Sequence, residues 1–326
     1  MLYAKVLSTG GRVPDRVVKN SFFDYLVEDA DNWIFSRTGI RERRFATEDE
    51  ATSDMATVAA LRALEAGNTD PVDIDCIIVS TSTPDMILPP TACMVQKNIG
   101  AGKAFAFDMN AVCSGFVYAV ETADNFIKSG KYEKVLVIGA DTYSKILDYQ
   151  DKTTSPLFGD GAGALLLAAT TEKRGILHTR IKSDGSRWDL IQVPSSGSRK
   201  PITEETIALR ENTFKMAGRS VYTFATDVIP KLISQVCDGA GVSPQELDFI
   251  IPHQANSRII DVITKKTGIP AEKILLNLER YGNTAAASVG LVLDENLRAG
   301  VIREGNLVLM MGFGGGLSWG GILIRI

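Results

Sequence analysis

The chain has 326 residues, 45% of them hydrophobic and 23% charged, which is an ordinary composition for a globular protein with an ample core. This length predicts one large or two medium-sized domains. The formal net charge of −4 gives no indication of a nucleic-acid partner. Because the sequence has two histidines and no Cys-x-x-Cys pair among its four cysteines, we expect no metal site.

The two ends of the chain bear on its location. Residues 1–6 lack the basic start and apolar core of a signal peptide. The most apolar segment, 306–324, is rich in glycine and is typical of two strands joined by a glycine turn. A membrane-spanning helix needs about 20 consecutive apolar residues, and such a helix would not contain so many glycines. We therefore expect a cytoplasmic protein with no membrane partner.

Strand-like and helical patterns alternate along the first half. The predicted strands cover 3–8, 75–80, 104–108, 134–139 and 164–169, and the predicted helices cover 20–28, 52–66, 91–99 and 116–127. A basic cluster, Arg41, Arg43 and Arg44, is expected to lie on a solvated face. The glycine run 159–163 lacks the third glycine of the dinucleotide fingerprint and leads into a strand, so we reject a Rossmann site.

The stretch 107–116 organises the chain. A predicted strand ends in a turn that holds Cys113, and a helical pattern follows it. A thiol at the start of a helix faces unsatisfied N–H groups and the positive end of the helix dipole, an environment that favours the nucleophilic thiolate. On this stretch alone, a buried structural cysteine remains an equal alternative.

The second half of the sequence repeats the first. Segment 64–78 resembles segment 237–251, in which Pro71 and Asp75 correspond to Pro244 and Asp248 with the same spacing. Each segment is a helix, a turn with proline and a buried strand. A second match aligns the turn at Gly130 with a turn 170 residues later. We therefore predict two similar halves, 1–172 and 173–326.

The repeat brings three chemically active residues together. The offset of 170 places Asn283 where the first half has Cys113. His253 follows the second repeat's buried strand, at the end where open α/β sheets bind ligands. A Cys–His–Asn set supports nucleophilic catalysis, as in papain-like proteases, but the sequence lacks their Cys-Gly-Ser-Cys-Trp context. His178, which has no partner motif, is predicted to be structural.

Segments spread over nearly the whole chain carry a resemblance to a known family. They are DNWIFSRTGIRERR at 31–44, AVCSGF at 111–116, FGDGAGA at 158–164, HQAN at 253–256, YGNTAA at 281–286 and GFGGGLSWG at 312–320. Together they resemble β-ketoacyl-acyl carrier protein synthase III, the condensing enzymes that begin type II fatty acid synthesis. The resemblance implies an α/β thiolase fold, with duplicated βαβαβαββ-like halves in five layers, α-β-α-β-α.

The resemblance also implies catalytic roles. Cys113 would attack the thioester of an acyl-CoA, and the backbone N–H groups of Cys113 and Gly315 would form the oxyanion hole. His253 and Asn283 would donate hydrogen bonds to the thioester oxygen of malonyl-acyl carrier protein as CO2 leaves. This chemistry needs no metal and no other cofactor, because acyl-CoA is a substrate.

The resemblance places substrate-binding residues as well. Trp33, Arg37, Lys152 and Asn256 match positions that bind CoA. Where the family usually has Arg, this chain has Lys152, which keeps the charge but loses the planar fork of a guanidinium. Three basic residues match a site that docks the acidic carrier protein, with an ordinary solvated helix face as the alternative; they are Arg258, Lys265 and Lys266.

Family members are homodimers in which a residue from the partner's Pro-rich loop closes the acyl pocket. Leu88 matches that residue, and Phe158 is predicted to line the same pocket. Because Leu is shorter than the Phe that acetyl-restricted members carry, we expect primers longer than acetyl. Two alternatives remain at this stage: a thiolase-fold relative of secondary metabolism that makes quinolone or polyketide-type products or transfers acyl groups to another acceptor, and an inactive carrier-protein-binding scaffold.

Overall fold

A computed structural model describes residues 2–326, which form two large β-sheets, two small two-stranded sheets and three layers of helices. The strands, in chain order, are β1 (Tyr3–Arg12), β2 (Val17–Lys19), β3 (Glu42–Arg44), β4 (Cys76–Ser80), β5 (Phe105–Met109), β6 (Lys134–Asp141), β7 (Gly161–Thr170), β8 (Gly175–Ser183), β9 (Ile191–Gln192), β10 (Lys215–Met216), β11 (Phe249–Pro252), β12 (Leu307–Gly314) and β13 (Ser318–Arg325). The α-helices are α1 (Ala30–Thr38), α2 (Thr52–Ala66), α3 (Thr91–Ile99), α4 (Gly115–Lys128), α5 (Glu204–Ala208), α6 (Gly218–Ala240), α7 (Arg258–Thr267), α8 (Leu278–Tyr281) and α9 (Ala287–Arg298).

The first sheet has the order β1-β7-β6-β4-β5. Strand β4 pairs in parallel with β5 and β6, whereas β7 runs antiparallel to β6 and β1. All five residues of β4 are buried, as expected for a short β-branched run covered on both faces. Helices α2 and α3 cover the outer face, and α2 turns a stripe of alanines inward so that it lies close to the sheet.

The second sheet repeats this arrangement with the order β11-β12-β13-β8. Strand β11 is parallel to β12, and β13 is antiparallel to both β12 and β8. Ile274 forms an isolated parallel bridge with Ile250 of β11, at the position that β5 occupies in the first sheet. Helices α6 and α7 cover the outer face. The strand-helix order of the second half therefore matches that of the first, as the sequence repeat predicts.

Helices α4 and α9 form the middle layer. Their apolar residues pack with residues from both sheets into one core cluster, which completes the five layers α-β-α-β-α. The contact between α9 and β7 is made at two glycines. A Cβ added to Gly163 would lie 2.6 Å from the carbonyl carbon of Gly290, which leaves no room for a side chain there.

Two local predictions are wrong, and one segment had no prediction. Residues 20–28 do not form an α-helix, because only Asn20–Phe23 make a 3-10 turn. Arg43 is not solvated: it is fully buried and donates to the carbonyls of Val18 and Pro156. Its burial lowers the pKa of its guanidinium to about 10. The segment 184–217, which the sequence patterns left undescribed, contains β9, α5 and β10.

The boundary predicted between the halves, 172/173, falls in the turn between β7 and β8. Within residues 2–326, no helix combines the length and the apolarity that a membrane crossing requires.

Replacing Gly163 with alanine should destabilise the protein by about 3 kcal/mol, the upper end of ordinary overpacking costs, because the new methyl group meets backbone atoms that have nowhere to move. The free energy of unfolding in urea measures this change. Gly102→Ala is the matched control, since a Cβ at Gly102 meets no atom within 4 Å. Equal stability of the two variants would contradict the close packing of β7 on α9.

Candidate active site

Cys113 lies in a tight turn between β5 and α4. The preceding residue, Val112, has a φ of 50°, and residues Val112–Ser114 form a 3-10 turn that leads directly into α4. Cys113 is 7% exposed, so its thiol lies inside the protein at the N-terminal end of a buried helix. The Ser114 hydroxyl donates to the carbonyl of Ala111 at 2.8 Å, which closes the turn.

The glycine-rich end of β12 packs directly against this turn. A Cβ at Gly312 would lie 2.7 Å from the Cα of Ser114, and one at Gly314 would lie 2.9 Å from the Cβ of Cys113. The Ser318 hydroxyl is 2.7 Å from the carbonyl oxygen of Gly315 and 2.7 Å from the hydroxyl of Ser114. Only residues without a side chain permit this approach, and it brings the backbone around Gly315 next to Cys113.

Asn283 is held by the strand-like segment that precedes β7. Its N–H donates to the carbonyl of Leu157, and its own carbonyl accepts from the N–H of Gly159. Gly159 has no room for a Cβ because the chain at Tyr281 passes against it. The Oδ1 atom of Asn283 accepts the N–H of Ala285 at 2.9 Å, so its Nδ2 group is left to donate elsewhere.

His253 follows β11 and is 2% exposed. Its N–H donates to the carbonyl of Met311 in β12, and its Nδ1 lies 2.9 Å from the hydroxyl oxygen of Ser288. The ring of Phe313 packs edge-on against the imidazole, with centroids 5.0 Å apart. Because β12 also packs on Cys113, this strand connects His253 to the nucleophile.

The structure brings the predicted trio together around one residue of the second half. Ala285 packs in the same apolar cluster as Cys113, donates its N–H to Asn283, and accepts the hydroxyl of Ser288, which contacts His253. Phe158, predicted to line the acyl pocket, lies in this cluster and forms a parallel bridge with Asn283.

Burial controls the charges at the site. Desolvation, with a smaller contribution from the negative charge of Asp141, raises the pKa of the Cys113 thiol well above its ordinary value, and the N–H of Cys113 only partly opposes this. Burial therefore opposes the thiolate that the start of the helix was expected to favour. Burial also lowers the pKa of His253 to about 4, so its imidazole is neutral at pH 7.

Aromatic side chains that the sequence analysis missed surround Cys113. The ring of Tyr143 stacks on Phe158 at 4.6 Å, and Phe214 packs edge-on against both. The Tyr143 hydroxyl lies 3.0 Å from that of Ser82. Tyr143 follows the end of β6, as His253 follows the end of β11. The rule that ligands bind at such strand ends identified His253, and it would also have predicted functional residues after β6. No comparable sequence signal points to Phe214.

A cavity of about 400 Å³ opens near the site. Its lining includes all four residues that were predicted to bind CoA, namely Trp33, Arg37, Lys152 and Asn256. The guanidinium of Arg37 lies 4.5 Å from the ring centroid of Trp33. None of the trio lines the cavity, but Phe313 does, and its ring packs against His253, so a single side chain separates the cavity from the buried imidazole.

The other predicted binding residues are distributed differently. Arg258 lines the same cavity, whereas Lys265 and Lys266 are exposed in the last turn of α7. Lys266 donates to the carbonyl of Thr226, so it is partly engaged within the chain. Leu88 is 80% exposed and does not belong to the Cys113 cluster of its own chain.

Comparisons with known proteins identify the family of this chain. The family profile described as 3-Oxoacyl-[acyl-carrier-protein (ACP)] synthase III matches residues 107–185, and the profile of its C-terminal part matches residues 237–326. A β-ketoacyl-[acyl-carrier-protein] synthase III from Natranaerobius thermophilus is 45% identical over 328 residues, which cover 100% of both chains. The chain belongs to the β-ketoacyl-[acyl-carrier-protein] synthase III family.

Solved structures extend the likeness to the fold. A synthase III from Aquifex aeolicus matches with a TM-score of 0.91 at 41% identity, covering 99% of this chain and 100% of that one. This match confirms the predicted thiolase fold. The priming β-ketosynthase of the R1128 polyketide pathway matches with a TM-score of 0.92 at 33% identity, covering 99% and 96%. The more similar relatives are synthase III enzymes, so the alternative from secondary metabolism is not favoured.

We expect Cys113 alone to become acylated when the protein is incubated with acyl-CoA, because only this thiol faces the glycine backbone of a candidate oxyanion hole. Intact mass and peptide mapping measure the modification, and Cys113→Ala should remove it. The other free thiols, Cys76, Cys93 and Cys237, should stay unmodified. Acyl label on one of these three, with Cys113 free, is the outcome that contradicts the assignment.

Proposed function

We propose that this chain condenses an acyl-CoA primer with malonyl-acyl carrier protein to give 3-oxoacyl-acyl carrier protein and CO2, the step that begins type II fatty acid synthesis. The observation that carries the proposal is the grouping of a buried thiol with the His253 imidazole and the free Nδ2 group of Asn283. Membership of the synthase III family supports the same reaction. No metal or redox cofactor takes part in it.

The first half-reaction transfers the acyl group to Cys113. The sulfur attacks the thioester carbonyl, and the N–H groups of Cys113 and Gly315 stabilise the oxyanion of the tetrahedral intermediate. The bond to the CoA sulfur then breaks, and the proton lost by Cys113 ends on that sulfur. Because the proton passes from one sulfur to the other, the net charge of the site is the same before and after the transfer. The transfer therefore needs no permanent thiolate, which burial disfavours.

The second half-reaction begins when malonyl-acyl carrier protein replaces CoA. The carbon–carbon bond to the carboxylate breaks, and its electron pair forms the enolate of the thioester. His253 and Asn283 donate hydrogen bonds to the enolate oxygen, and the enolate carbon attacks the acyl-Cys113 carbonyl. The bond to the Cys113 sulfur then breaks, and the sulfur takes up one proton from solvent to become a thiol again. A neutral His253 can donate from one nitrogen without bringing a buried charge.

The substrate contacts follow from the cavity. The CoA adenine would stack at Trp33 and Arg37 near the mouth, and Asn256 would line the pantetheine path. Asn256 donates to the carbonyl of Arg37 and accepts the N–H of Arg258, so it also fixes the start of α7. Arg258, Lys265 and Lys266 would then attract the acidic carrier protein to the rim, as long-range charge steering does.

We further propose a homodimer that works in the cytoplasm. Strand β5 is an outer strand of the first sheet, and Phe105 on it is 39% exposed. An edge strand with exposed apolar side chains offers its free backbone groups to another strand. The exposed Met86, Ile87 and Leu88 are available to reach a second copy. Four free thiols fit a reducing compartment.

His253→Ala and Asn283→Ala should each reduce decarboxylation of malonyl-acyl carrier protein by about 10²–10³-fold, because each removes one donor to the enolate oxygen. Acylation of Cys113 should fall far less in both variants. Release of labelled CO2 measures the first quantity, and intact mass measures the second. Equal loss of both half-reactions in both variants would contradict this division of roles. A wild-type protein that releases no CO2 from malonyl-acyl carrier protein would contradict the proposed function.

Leu88→Phe should shift the primer preference toward acetyl, because a longer side chain from the partner would shorten the acyl pocket. Each CH2 that can no longer be buried is worth about 0.8 kcal/mol, or roughly fourfold in rate. Rates of Cys113 acylation by acetyl-, butyryl- and octanoyl-CoA measure the profile, and light scattering measures the native mass. Val301→Phe, at another exposed position, serves as the control. A native mass equal to that of one chain, or the same primer preference in Leu88→Phe as in the wild-type protein, would contradict the placement of Leu88 in the acyl pocket.

A further inference from the structure

A second cavity, of about 490 Å³, shares no lining residue with the cavity proposed to bind CoA. We call it the aromatic cavity, because four of its lining residues carry aromatic rings, namely Phe22, Tyr25, Phe45 and Tyr149. Its volume is within the range of protein sites that bind small molecules. None of its lining residues has a role in the proposed condensation, so the aromatic cavity is free for a different ligand.

Phe22 is the central ring of the aromatic cavity. Its ring packs edge-on against those of Tyr25, Phe45 and Tyr149, with centroids 6.1, 6.3 and 6.4 Å apart. Phe22 is nevertheless 42% exposed. The hydroxyl of Tyr25 donates to the carbonyl of Tyr149, and the hydroxyl of Tyr149 donates to the carbonyl of Ser144. Because both phenol protons are used within the chain, the cavity presents ring surface, and the ring of a ligand can extend the edge-to-face pattern.

The charged side chains of the aromatic cavity favour an anion. Among residues 2–326, Arg16 forms no ion pair and no side-chain hydrogen bond. Burial raises the pKa of Tyr149 to about 12, and the charge of Arg16 opposes this shift, so the guanidinium lies near the phenol. Lys145 donates to the backbone carbonyls of Glu48 and Glu50, which carry no net charge. In the lining that the structure describes, two cations therefore outnumber the single carboxylate of Glu48.

We propose that the aromatic cavity binds an aromatic carboxylate, whose ring packs against Phe22 and whose carboxylate pairs with Arg16. An alkyl carboxylate would lack the edge-to-face contacts with the rings, and an aromatic ammonium ion would be repelled by two cations. Because Arg16 and Phe22 are both exposed, a ligand reaches them without opening the core. This binding does not depend on the proposed condensation.

The aromatic cavity shares one chain segment with the Cys113 cluster. Ser144, which lines the cavity, follows Tyr143, and the ring of Tyr143 stacks on Phe158 in the cluster. Asp160, two residues after Phe158, accepts the N–H of Ser144 at 2.9 Å and so fixes this segment. A ligand in the aromatic cavity would therefore contact the segment that carries Tyr143 without entering the cavity proposed to bind CoA.

Calorimetric titration of the wild-type protein with matched indoles tests the preferred charge. Indole-3-acetate, indole-3-acetamide and tryptamine share one ring system and are negative, neutral and positive at pH 7. We expect indole-3-acetate to bind with a Kd of about 1 mM or below. The acetamide should bind about fivefold more weakly, as for the loss of an exposed ion pair, and tryptamine more weakly still. Octanoate, a carboxylate without a ring, should also bind about fivefold more weakly than indole-3-acetate.

Variants at two exposed positions locate the bound ligand. Arg16→Gln should weaken indole-3-acetate about fivefold and leave the acetamide unchanged, whereas Phe22→Leu should weaken both about fivefold. Arg199→Gln, at an exposed arginine outside the lining, and Arg37→Gln, in the cavity proposed to bind CoA, should leave both affinities unchanged. The absence of saturable binding to the wild-type protein overturns the proposal, as does tighter binding of tryptamine or octanoate. A loss of affinity in Arg37→Gln with none in Arg16→Gln also overturns it, because the ligand then lies in the other cavity.

Discussion

The structure depends on the packing of α4 and α9 between two sheets. Both helices are largely buried, and both contribute apolar residues to one core that spans the two halves. Backbone contacts at Gly163 and Gly290 fix the position of α9, and contacts at Gly312 and Gly314 fix the turn before α4. Because buried helices of this kind do not shift without opening a core, the residues at their N-terminal turns are held in place. The site is therefore a consequence of how the middle layer packs.

That burial also determines which charges the site can hold. It raises the pKa of Cys113 and lowers that of His253, so both groups are neutral at pH 7. A neutral thiol and a neutral imidazole avoid the cost of an isolated charge in a dry pocket. Negative charge then develops only during reaction, on thioester oxygens that meet fixed N–H donors. Because the N–H donors are already oriented, they stabilise the charge that develops in the transition state, and the resting site needs no ion.

The sequence predicted the features that follow from local patterns. The bounds of α2 and α3 agree with the prediction, since apolar spacing and flanking turn residues define them. The repeat indicated a second half built like the first, but the predicted correspondence of Asn283 with Cys113 is wrong. Oδ1 of Asn283 accepts the N–H of Ala285, which has a φ of 46°, as Oδ1 of Asn110 accepts the N–H of Val112, which has a φ of 50°, so Asn283 corresponds to Asn110. Patterns could not reveal that Arg43 is buried, because that depends on carbonyls from distant segments such as Pro156. They also missed Tyr143 and Ser288, because the groups that these hydroxyls contact, Ser82 and His253, are distant from them in the sequence.

The two pseudo-equivalent helices use their N-terminal turns differently. At α9, the N–H of Ala286 donates to Oδ2 of Asp141 at 3.0 Å, and the other carboxylate oxygen of Asp141 accepts the N–H of Ser82 and nearby hydroxyls. The carboxyl group of Asp141 thus occupies the positive end of α9, where burial raises its pKa and the surrounding N–H and hydroxyl donors oppose that shift. At α4, the corresponding turn holds the neutral thiol of Cys113. The duplicated fold therefore provides two anion-stabilising helix ends, one satisfied by the protein's own carboxylate and one left for the oxyanion of the reaction. Since the negative charge of Asp141 also raises the pKa of Cys113, filling the first end helps to keep the second free of charge until a thioester binds.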